Sequence, residues 1–221
     1  MEKKVIRAAL LGLGTVGTGV YKVIKNQKEE MIPKLGSEIE ISKILVRNLE
    51  KAAAKVDDPK ILTNNWDDIV NDPEIDVVIE LIGGIEPAKT YILSALNAGK
   101  HVVSANKDLI AVHGKELLDA AEAHHVDFLF EAAVAGGIPI IRPLRQSLAA
   151  SELTEVMGIV NGTTNYILTR MTEDGMGYEE ALALATKLGY AESDPTADVE
   201  GYDAGRKVAI MASIAFNSNV T

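Results

Sequence analysis

Two oppositely charged residues, Asp203 and Lys207, are spaced four apart in the segment 201–216. At about 100° per residue they share one arc of a helix with Ile210 and Ile214. An exposed pair at this spacing is common and contributes only a few tenths of a kcal/mol. However, the rest of the segment is apolar nearly all round, which predicts a buried helix. The pair therefore indicates general-acid chemistry, in which Lys207 gives a proton to an oxygen that gains negative charge.

A second lysine and a group of carboxylates are further candidates. Lys107 follows the predicted strand 101–104, at the end of the sheet where open α/β folds bind ligands. The alternative is a solvent-facing lysine at a helix start, and position alone does not decide between them. The turn-rich stretch 191–198 could bind a substrate ammonium, although its composition favours a solvated acidic loop. Its carboxylates are Glu192, Asp194 and Asp198.

A glycine-rich segment, Gly12-Leu13-Gly14-Thr15-Val16-Gly17, follows the predicted strand 5–11 and precedes the predicted helix 15–26. The first glycine of such a pattern permits a tight turn, the second lets the backbone approach a pyrophosphate, and the third lets helix pack on strand. By itself the pattern also describes an ordinary strand-to-helix turn. Its βαβ context favours a dinucleotide site, and with a lysine acid this predicts a nicotinamide-dependent oxidoreductase.

The residue after the second predicted strand, 39–46, bears on the choice of nucleotide. An NAD site places an acidic residue there to hold the ribose 2′-hydroxyl, whereas this chain has Arg47. A guanidinium suits a 2′-phosphate, so the sequence favours NADP over NAD without excluding NAD. The alternative is a solvated arginine at a strand end.

Short β-branched runs alternate with helical stretches through the first part of the chain. The pattern predicts a Rossmann-type, doubly wound parallel sheet over residues 1–130. After that, the glycine-rich stretch 131–137 and a new succession of elements predict an α+β substrate domain over 131–221. We expect strands at 5–11, 39–46, 76–81, 101–104, 126–130 and 153–160, and helices at 15–26, 86–97, 139–150, 178–188 and 201–216.

Composition excludes several classes of function. The chain has 32 acidic and 22 basic residues, and this net charge of −10 argues against a nucleic-acid partner. It has no cysteine, which excludes disulfides, thiolate zinc sites and a cysteine nucleophile. The four histidines lack metal-ligand spacing. No stretch approaches a membrane-spanning length, so we expect a soluble, cytoplasmic protein without a membrane partner.

Four motifs together resemble homoserine dehydrogenases, and the resemblance extends over essentially the whole chain. They are Leu10-Leu11-Gly12-Leu13-Gly14-Thr15-Val16-Gly17, Ser104-Ala105-Asn106-Lys107, Asn161-Gly162-Thr163-Thr164-Asn165-Tyr166-Ile167-Leu168 and Gly201-Tyr202-Asp203-Ala204-Gly205-Arg206-Lys207. The resemblance implies reversible reduction of L-aspartate 4-semialdehyde to L-homoserine with NADPH or NADH. This reaction is a step toward threonine, methionine and isoleucine.

The resemblance also implies roles for individual residues. Lys207 would be the proton donor, and Lys107 would lie by the nicotinamide and the reacting carbon. The implied substrate-binding residues are Glu192, Asp203, Asp198 and Thr163. The motifs, the position of Arg47 and the resemblance together give the predicted cofactor-binding residues, which are Gly12, Leu13, Gly14, Thr15, Val16, Gly17, Arg47, Ser104, Lys107 and Gly189. A monovalent cation, usually sodium in the family, would be bound by main-chain oxygens of Glu131, Val134, Gly136 and Ile138.

Family members continue beyond the position matching Thr221, so the resemblance implies a truncated chain, and activity of this fragment by itself does not follow. It also implies a homodimer built on the substrate domain when the protein is full length. Two alternatives stay open. One is another semialdehyde or sugar dehydrogenase of the same two-domain plan, and the other is a cofactor-binding regulatory module without catalysis. Retention of both Lys107 and Lys207 speaks against the second alternative.

Overall fold

The computed structural model describes residues 5–221, which divide into two compact units. Unit 1 ends at Ala133 and unit 2 comprises Val134–Thr221. None of the helices in the described residues is long and apolar enough to cross a membrane.

Unit 1 is built on a six-stranded sheet in the order β3-β2-β1-β4-β5-β6, with every strand pair parallel. The chain order reverses direction between β1 and β4, and open sheets bind ligands at the carboxyl ends of strands beside such a switch point. The predicted Rossmann-type α/β fold is confirmed. The strands are β1 (Val5–Leu11), β2 (Glu38–Leu45), β3 (Leu62–Thr63), β4 (Val77–Glu80), β5 (His101–Ser104) and β6 (Phe128–Leu129).

Helices connect these strands and bury the sheet. One core cluster lies between β1, β2 and the start of the first helix, and it includes Leu10, Leu13 and Ile44. The helices are α1 (Thr15–Asn26), α2 (Lys28–Leu35), α3 (Leu49–Ala53), α4 (Asp67–Val70), α5 (Ala88–Asn97) and α6 (Lys107–Ala123). Two 3₁₀ turns, Pro59–Ile61 and Glu131–Ala133, complete the unit.

The regular secondary structure of unit 2 is helical in its described residues, and a non-helical stretch, 151–161, precedes its first long helix. A short π-helical segment, Pro143–Ser147, precedes α7 (Gly162–Glu173), α8 (Tyr178–Lys187), α9 (Thr196–Val199) and α10 (Tyr202–Ala215). Helices α7 and α8 pack through a buried cluster that includes Ile167, Ala181 and Ala185. Left-handed glycines at 189 and 201, with φ of 79° each, lie after α8 and before α10. Both positions favour glycine because a Cβ strains that conformation.

Three sequence predictions differ from the structure. The strand at 153–160 is not formed, because a strand needs a hydrogen-bonded partner and unit 2 holds no other strand in its described residues. Of the predicted helix at 139–150, residues 141–147 are helical, with 143–147 in the π-helical segment, and 148–150 form a turn. Val208 on α10 is 52% exposed, so that helix is not buried all round. Strand β3 was missed because two residues are too short to show a period.

Candidate active site

The glycine segment Gly12–Gly17, here called the nucleotide loop, joins β1 to α1. Gly12 has φ of 97°, and a Cβ on it would lie 3.0 Å from the carbonyl oxygen of Leu81. A Cβ on Gly17 would lie 2.2 Å from the carbonyl oxygen of Gly12. Both positions therefore require glycine for the turn itself, before any ligand is considered.

Gly14 differs from its two neighbours because it has no structural need for glycine. Its φ is −74°, and a Cβ on it would have no other atom within 4 Å. It is the N-cap of the 12-residue helix α1, which has no side-chain cap and no acidic residue in its first turn. Open space in front of uncapped helix amides suits a pyrophosphate, so the residues present fit a dinucleotide.

Two side chains hold the nucleotide loop through one of its carbonyl oxygens. The carbonyl oxygen of Leu13 accepts hydrogen bonds from Lys55 Nζ at 2.7 Å and Thr18 Oγ1 at 3.3 Å. Thr15 and Val16 are exposed on the first turn of α1. Arg47 follows the end of β2 and is exposed to solvent, where its guanidinium is accessible to a ligand.

A buried carboxylate organises the neighbouring loops at the ends of β4 and β5. Glu80 is 0% exposed, and its Oε1 accepts from the amides of Ile82 and Gly83 at 2.8 and 3.1 Å. Its Oε2 accepts from Ser104 Oγ at 2.6 Å, and that hydroxyl accepts in turn from the amide of Asn106 at 3.1 Å. One side chain thus ties together two loops of the ligand-binding edge.

Lys107 is the first residue of α6 and directly follows this hydrogen-bond network. Asn106 caps the helix by accepting from the amide of Leu109 at 3.2 Å, and it donates to the carbonyl oxygen of Gly84 at 2.6 Å. The Lys107 side chain is 34% exposed, with Nζ 4.0 Å from Asp108 Oδ1. The hydrogen bonds of Asn106 therefore fix the position of the Lys107 backbone at the end of the sheet. Ser104, two residues before Asn106, is buried and its hydroxyl belongs to the same hydrogen-bond network.

In unit 2, four side chains form what we call the acid–lysine network: Asn161, Asp198, Asp203 and Lys207. Lys207 Nζ donates to Asp203 Oδ2 at 2.5 Å and to the carbonyl oxygen of Val160 at 2.7 Å. Asn161 Nδ2 donates to Asp198 Oδ1 at 2.7 Å and to Asp203 Oδ2 at 2.9 Å. Asp203 is only 8% exposed. The spacing of four residues therefore does produce a largely buried lysine–carboxylate pair, which can hold and deliver a proton.

The other predicted substrate and cofactor residues of unit 2 lie outside this network. Thr163 Oγ1 donates to the carbonyl oxygen of Tyr190 at 2.7 Å, and Glu192 is exposed on the following loop. Gly189 follows α8 in a left-handed conformation. Hydrogen bonds from the Thr196 hydroxyl and amide lower the pKa of Asp194 below its usual value.

The segment predicted to bind a cation divides between the units. Glu131 begins the 3₁₀ turn of unit 1, whereas Val134, Gly136 and Ile138 belong to unit 2. Ala135 and Gly136 are both left-handed, and the amide of Ile138 donates to the carbonyl oxygen of Ala135 at 3.0 Å. Within residues 5–221 there is no group of three histidine or carboxylate side chains that could hold a metal ion.

Sequence reasoning assigned no role to Glu80, Lys55 or Asn161. Glu80 could have been suspected, since it ends a buried strand at the binding edge. Asn161 precedes a helix and so carries the signature of an N-cap, but nothing in the sequence shows its contacts to residues 37 and 42 positions away. No sequence signal marks the contact of Lys55 with the nucleotide loop.

Two family models match consecutive parts of the chain. One described as "Homoserine dehydrogenase, NAD binding domain" matches residues 12–131, and one described as "Homoserine dehydrogenase" matches residues 139–221. The chain belongs to the homoserine dehydrogenase family. The resemblance inferred from the four motifs is thereby confirmed, and the nucleotide loop lies in the family's NAD-binding domain.

Individual homoserine dehydrogenases agree with this assignment. That of Bacillus subtilis is 53% identical over 218 residues, covering 98% of this chain and 50% of the relative. A crystal structure from Thiobacillus denitrificans has a TM-score of 0.90 at 49% identity, covering 97% of this chain and 50% of that one. A hyperthermophilic archaeal enzyme in complex with NADPH has a TM-score of 0.83 at 26% identity, with coverages of 97% and 70%. The chain spans about half the length of the curated relatives it matches.

Proposed function

We propose that this chain is the nucleotide-binding domain and part of the catalytic domain of a homoserine dehydrogenase. The reaction is the reversible reduction of L-aspartate 4-semialdehyde to L-homoserine, in the biosynthesis of threonine, methionine and isoleucine. One observation carries the proposal. A family match that runs through both units coincides with a fitting nucleotide loop in unit 1 and a lysine–carboxylate pair in unit 2.

Lys207 is the proposed proton donor. Reduction of the aldehyde needs a hydride, which the nicotinamide supplies when it is bound, and a proton for the oxygen that becomes the hydroxyl. The Lys207 ammonium carries both a proton and a positive charge, and the Lys207 side chain is only 18% exposed. Asp203 and the carbonyl oxygen of Val160 fix its position by accepting two of its protons, leaving a third that can be given to the substrate.

Substrate contacts are proposed for the acidic residues of unit 2. Asp198 and Asp203 are held by one amide, and with Glu192 and Thr163 they would bind the amino-acid substrate, whose ammonium requires carboxylate partners. Lys107 is proposed to lie by the nicotinamide and the reacting carbon. Ser104 and Gly189 are proposed to contact the cofactor.

NADP is the proposed cofactor, with NAD as the alternative. Arg47 is exposed after β2, where the 2′-substituent of the adenosine ribose would be recognised. The archaeal relative in complex with NADPH supports this preference. Because the charge of a guanidinium complements a phosphate far better than a hydroxyl, the preference follows from electrostatics.

The remaining proposals come from the family resemblance. We propose domains of 1–130 and 131–221, a homodimer built on unit 2, a cytoplasmic location and a bound sodium ion. The left-handed pair Ala135 and Gly136 supports the sodium site, because a tight turn presents the main-chain oxygens that hard cations prefer.

The proposed function is tested by homoserine-dependent reduction of NADP and NAD in the purified chain and, if the parent protein is longer, in the parent. We expect NADP reduction that requires L-homoserine, is faster than with NAD, and depends on sodium. Reduction supported by another hydroxy-amino acid or a sugar, and not by homoserine, would instead assign a related dehydrogenase. Nucleotide binding without turnover in the parent would indicate a regulatory module.

A further inference from the structure

Asn161 is a buried amide whose hydrogen-bonding capacity is completely used. It is 7% exposed. Its two N–H groups donate to Asp198 Oδ1 and Asp203 Oδ2, and its Oδ1 accepts from the amide and the hydroxyl of Thr164, both at 2.8 Å. A primary amide offers two donors and two good acceptor positions. The four partners therefore fix both the position and the orientation of the amide plane.

The oxygen and the nitrogen of the Asn161 side-chain amide have different roles. The oxygen caps α7, as asparagine commonly does at a helix start. The nitrogen joins two carboxylates, and one of them, through the same Oδ2, accepts from Lys207 Nζ. Asp203 Oδ2 is thus held between the amide and the ammonium.

A neutral donor is what this position needs. Two carboxylates brought close together repel each other, and each requires donors when it leaves water. An amide supplies one donor to each without adding charge, whereas an aspartate has no proton to give in its ionised form. A lysine would add a second cation that competes with Lys207 for Asp203.

We propose that Asn161 is a positioning residue for the reaction. It holds Asp198 and Asp203 together in the arrangement that binds the substrate, and it holds Asp203 Oδ2 against the Lys207 ammonium. This inference rests on the proposed function, since it gives the residue a task only where Lys207 delivers a proton. Displacing a reacting group by about 1 Å can cost about 100-fold in rate.

Two substitutions separate positioning from helix capping. Asn161→Asp keeps the cap, because an aspartate oxygen accepts from the Thr164 amide as well as an asparagine oxygen does, but it removes both donors and adds a third carboxylate. Asn161→Ser keeps a shorter cap and adds no charge. If Asn161 served only as a cap, Asn161→Asp would be the milder change. If it positions the carboxylates, Asn161→Asp is the more damaging one.

The measurement is steady-state kinetics of homoserine oxidation with NADP, in the parent protein where it is longer. We expect kcat/KM for homoserine to fall about 100-fold in Asn161→Asp and about tenfold in Asn161→Ser, with the KM for NADP unchanged. The matched control is Thr164→Val, which disturbs only the cap side of the amide and should stay within about twofold. Circular dichroism and thermal melting confirm that each variant folds. Wild-type kinetics in Asn161→Asp, or losses that follow cap strength, would overturn the inference.

An independent readout keeps this inference separate from the proposed function. If the wild-type protein shows no homoserine-dependent reduction of NADP, the proposed function fails. The geometry is then tested by ¹⁵N NMR of the chain itself. The side-chain amide protons of Asn161 should exchange with solvent more slowly than those of the exposed Asn217, and Asp203→Ala should accelerate their exchange. Exchange as fast as in Asn217 would overturn the inference.

Discussion

The nucleotide loop of unit 1 and the acid–lysine network of unit 2 prepare for their ligands in different ways. The loop exposes main-chain groups. Two of its positions can be filled only by glycine, a third glycine faces open space, and the amides at the start of α1 have no side-chain cap. The network presents charged side chains, cross-linked by one amide and largely buried. Backbone N–H groups at a helix start can bind a cofactor phosphate whatever the surrounding side chains are, provided that glycines allow the turn. Proton transfer needs particular groups at particular distances.

Lys207→Met should give the largest effect, because it removes the proposed proton donor from the acid–lysine network and changes no residue of the nucleotide loop. General-acid catalysis contributes about 10²–10⁴-fold, and we expect kcat to fall within that range while the affinity for NADP is unchanged. Steady-state kinetics and nucleotide titration measure the two quantities. Lys187→Met, at an exposed lysine in the last turn of α8, is the matched control. A kcat near that of the wild type would remove Lys207 from the mechanism.

Gly17→Ala and Gly14→Ala should separate the glycine that the turn requires from the glycine that we propose lies against the pyrophosphate. The first places a Cβ 2.2 Å from backbone, and overpacking of this kind costs about 1–3 kcal/mol. Unit 1 should lose that stability together with nucleotide binding. In Gly14→Ala the Cβ meets open space, so the free energy of unfolding should not change. The affinity for NADP should fall at least about tenfold, which corresponds to a loss of about 1.4 kcal/mol in binding free energy.

The fluorescence of Trp66, the chain's single tryptophan, reports unfolding of unit 1 in urea, because that residue stacks on Tyr91 at 4.7 Å between ring centroids. Normal NADP affinity in Gly14→Ala would show that the pyrophosphate does not approach this glycine. Equal destabilisation by the two substitutions would contradict the distinction between them.

The same contrast explains what the sequence could predict. Helix α1 and strands β1 and β5 were placed at their observed bounds, because hydrophobic period and glycine positions are local signals. The Asp203–Lys207 pair was found from its spacing on one helix. Glu80 and Asn161 were not found, since their roles depend on partners brought together by the fold. The failed strand at 153–160 has the same cause, as its local pattern favoured a strand but no pairing partner lies in the described part of unit 2.

Arg47→Ala tests whether a side chain adds specificity to the main-chain site. Its guanidinium is exposed, and solvent screening reduces the energy of exposed charge pairs. We therefore expect NADP affinity to fall about tenfold while NAD affinity changes less than about twofold. Titration of the chain with both nucleotides measures the ratio. Equal losses for NADP and NAD would rule out recognition of the 2′-phosphate by Arg47.

Lys100 is a second buried lysine that can be compared with Lys207, and we expect the effect of replacing it to be the smallest of those predicted here. It is 4% exposed, and its Nζ donates to the carbonyl oxygens of Asp72 and Ile75 at 2.6 and 3.0 Å. Unlike Lys207, it has no carboxylate within 4.0 Å in residues 5–221. Burial lowers the pKa of Lys100 below its usual 10.5, although the charges of Asp72 and Asp76 act in the opposite direction. A buried lysine without a carboxylate contact should therefore carry a cost that depends on pH.

The sign of that dependence follows from proton linkage. Because the pKa of Lys100 is lower in the folded chain, the unfolded chain binds more protons between the folded value and 10.5. The free energy of unfolding attributable to Lys100 must rise with pH across that interval, and the cost of its burial is fully present below it. Urea unfolding followed by Trp66 fluorescence at several alkaline pH values should show a more positive pH slope in the wild type than in Lys100→Met. Lys187→Met should keep the wild-type slope. Equal slopes in Lys100→Met and the wild type would mean that Lys100 keeps its ordinary proton affinity despite its burial.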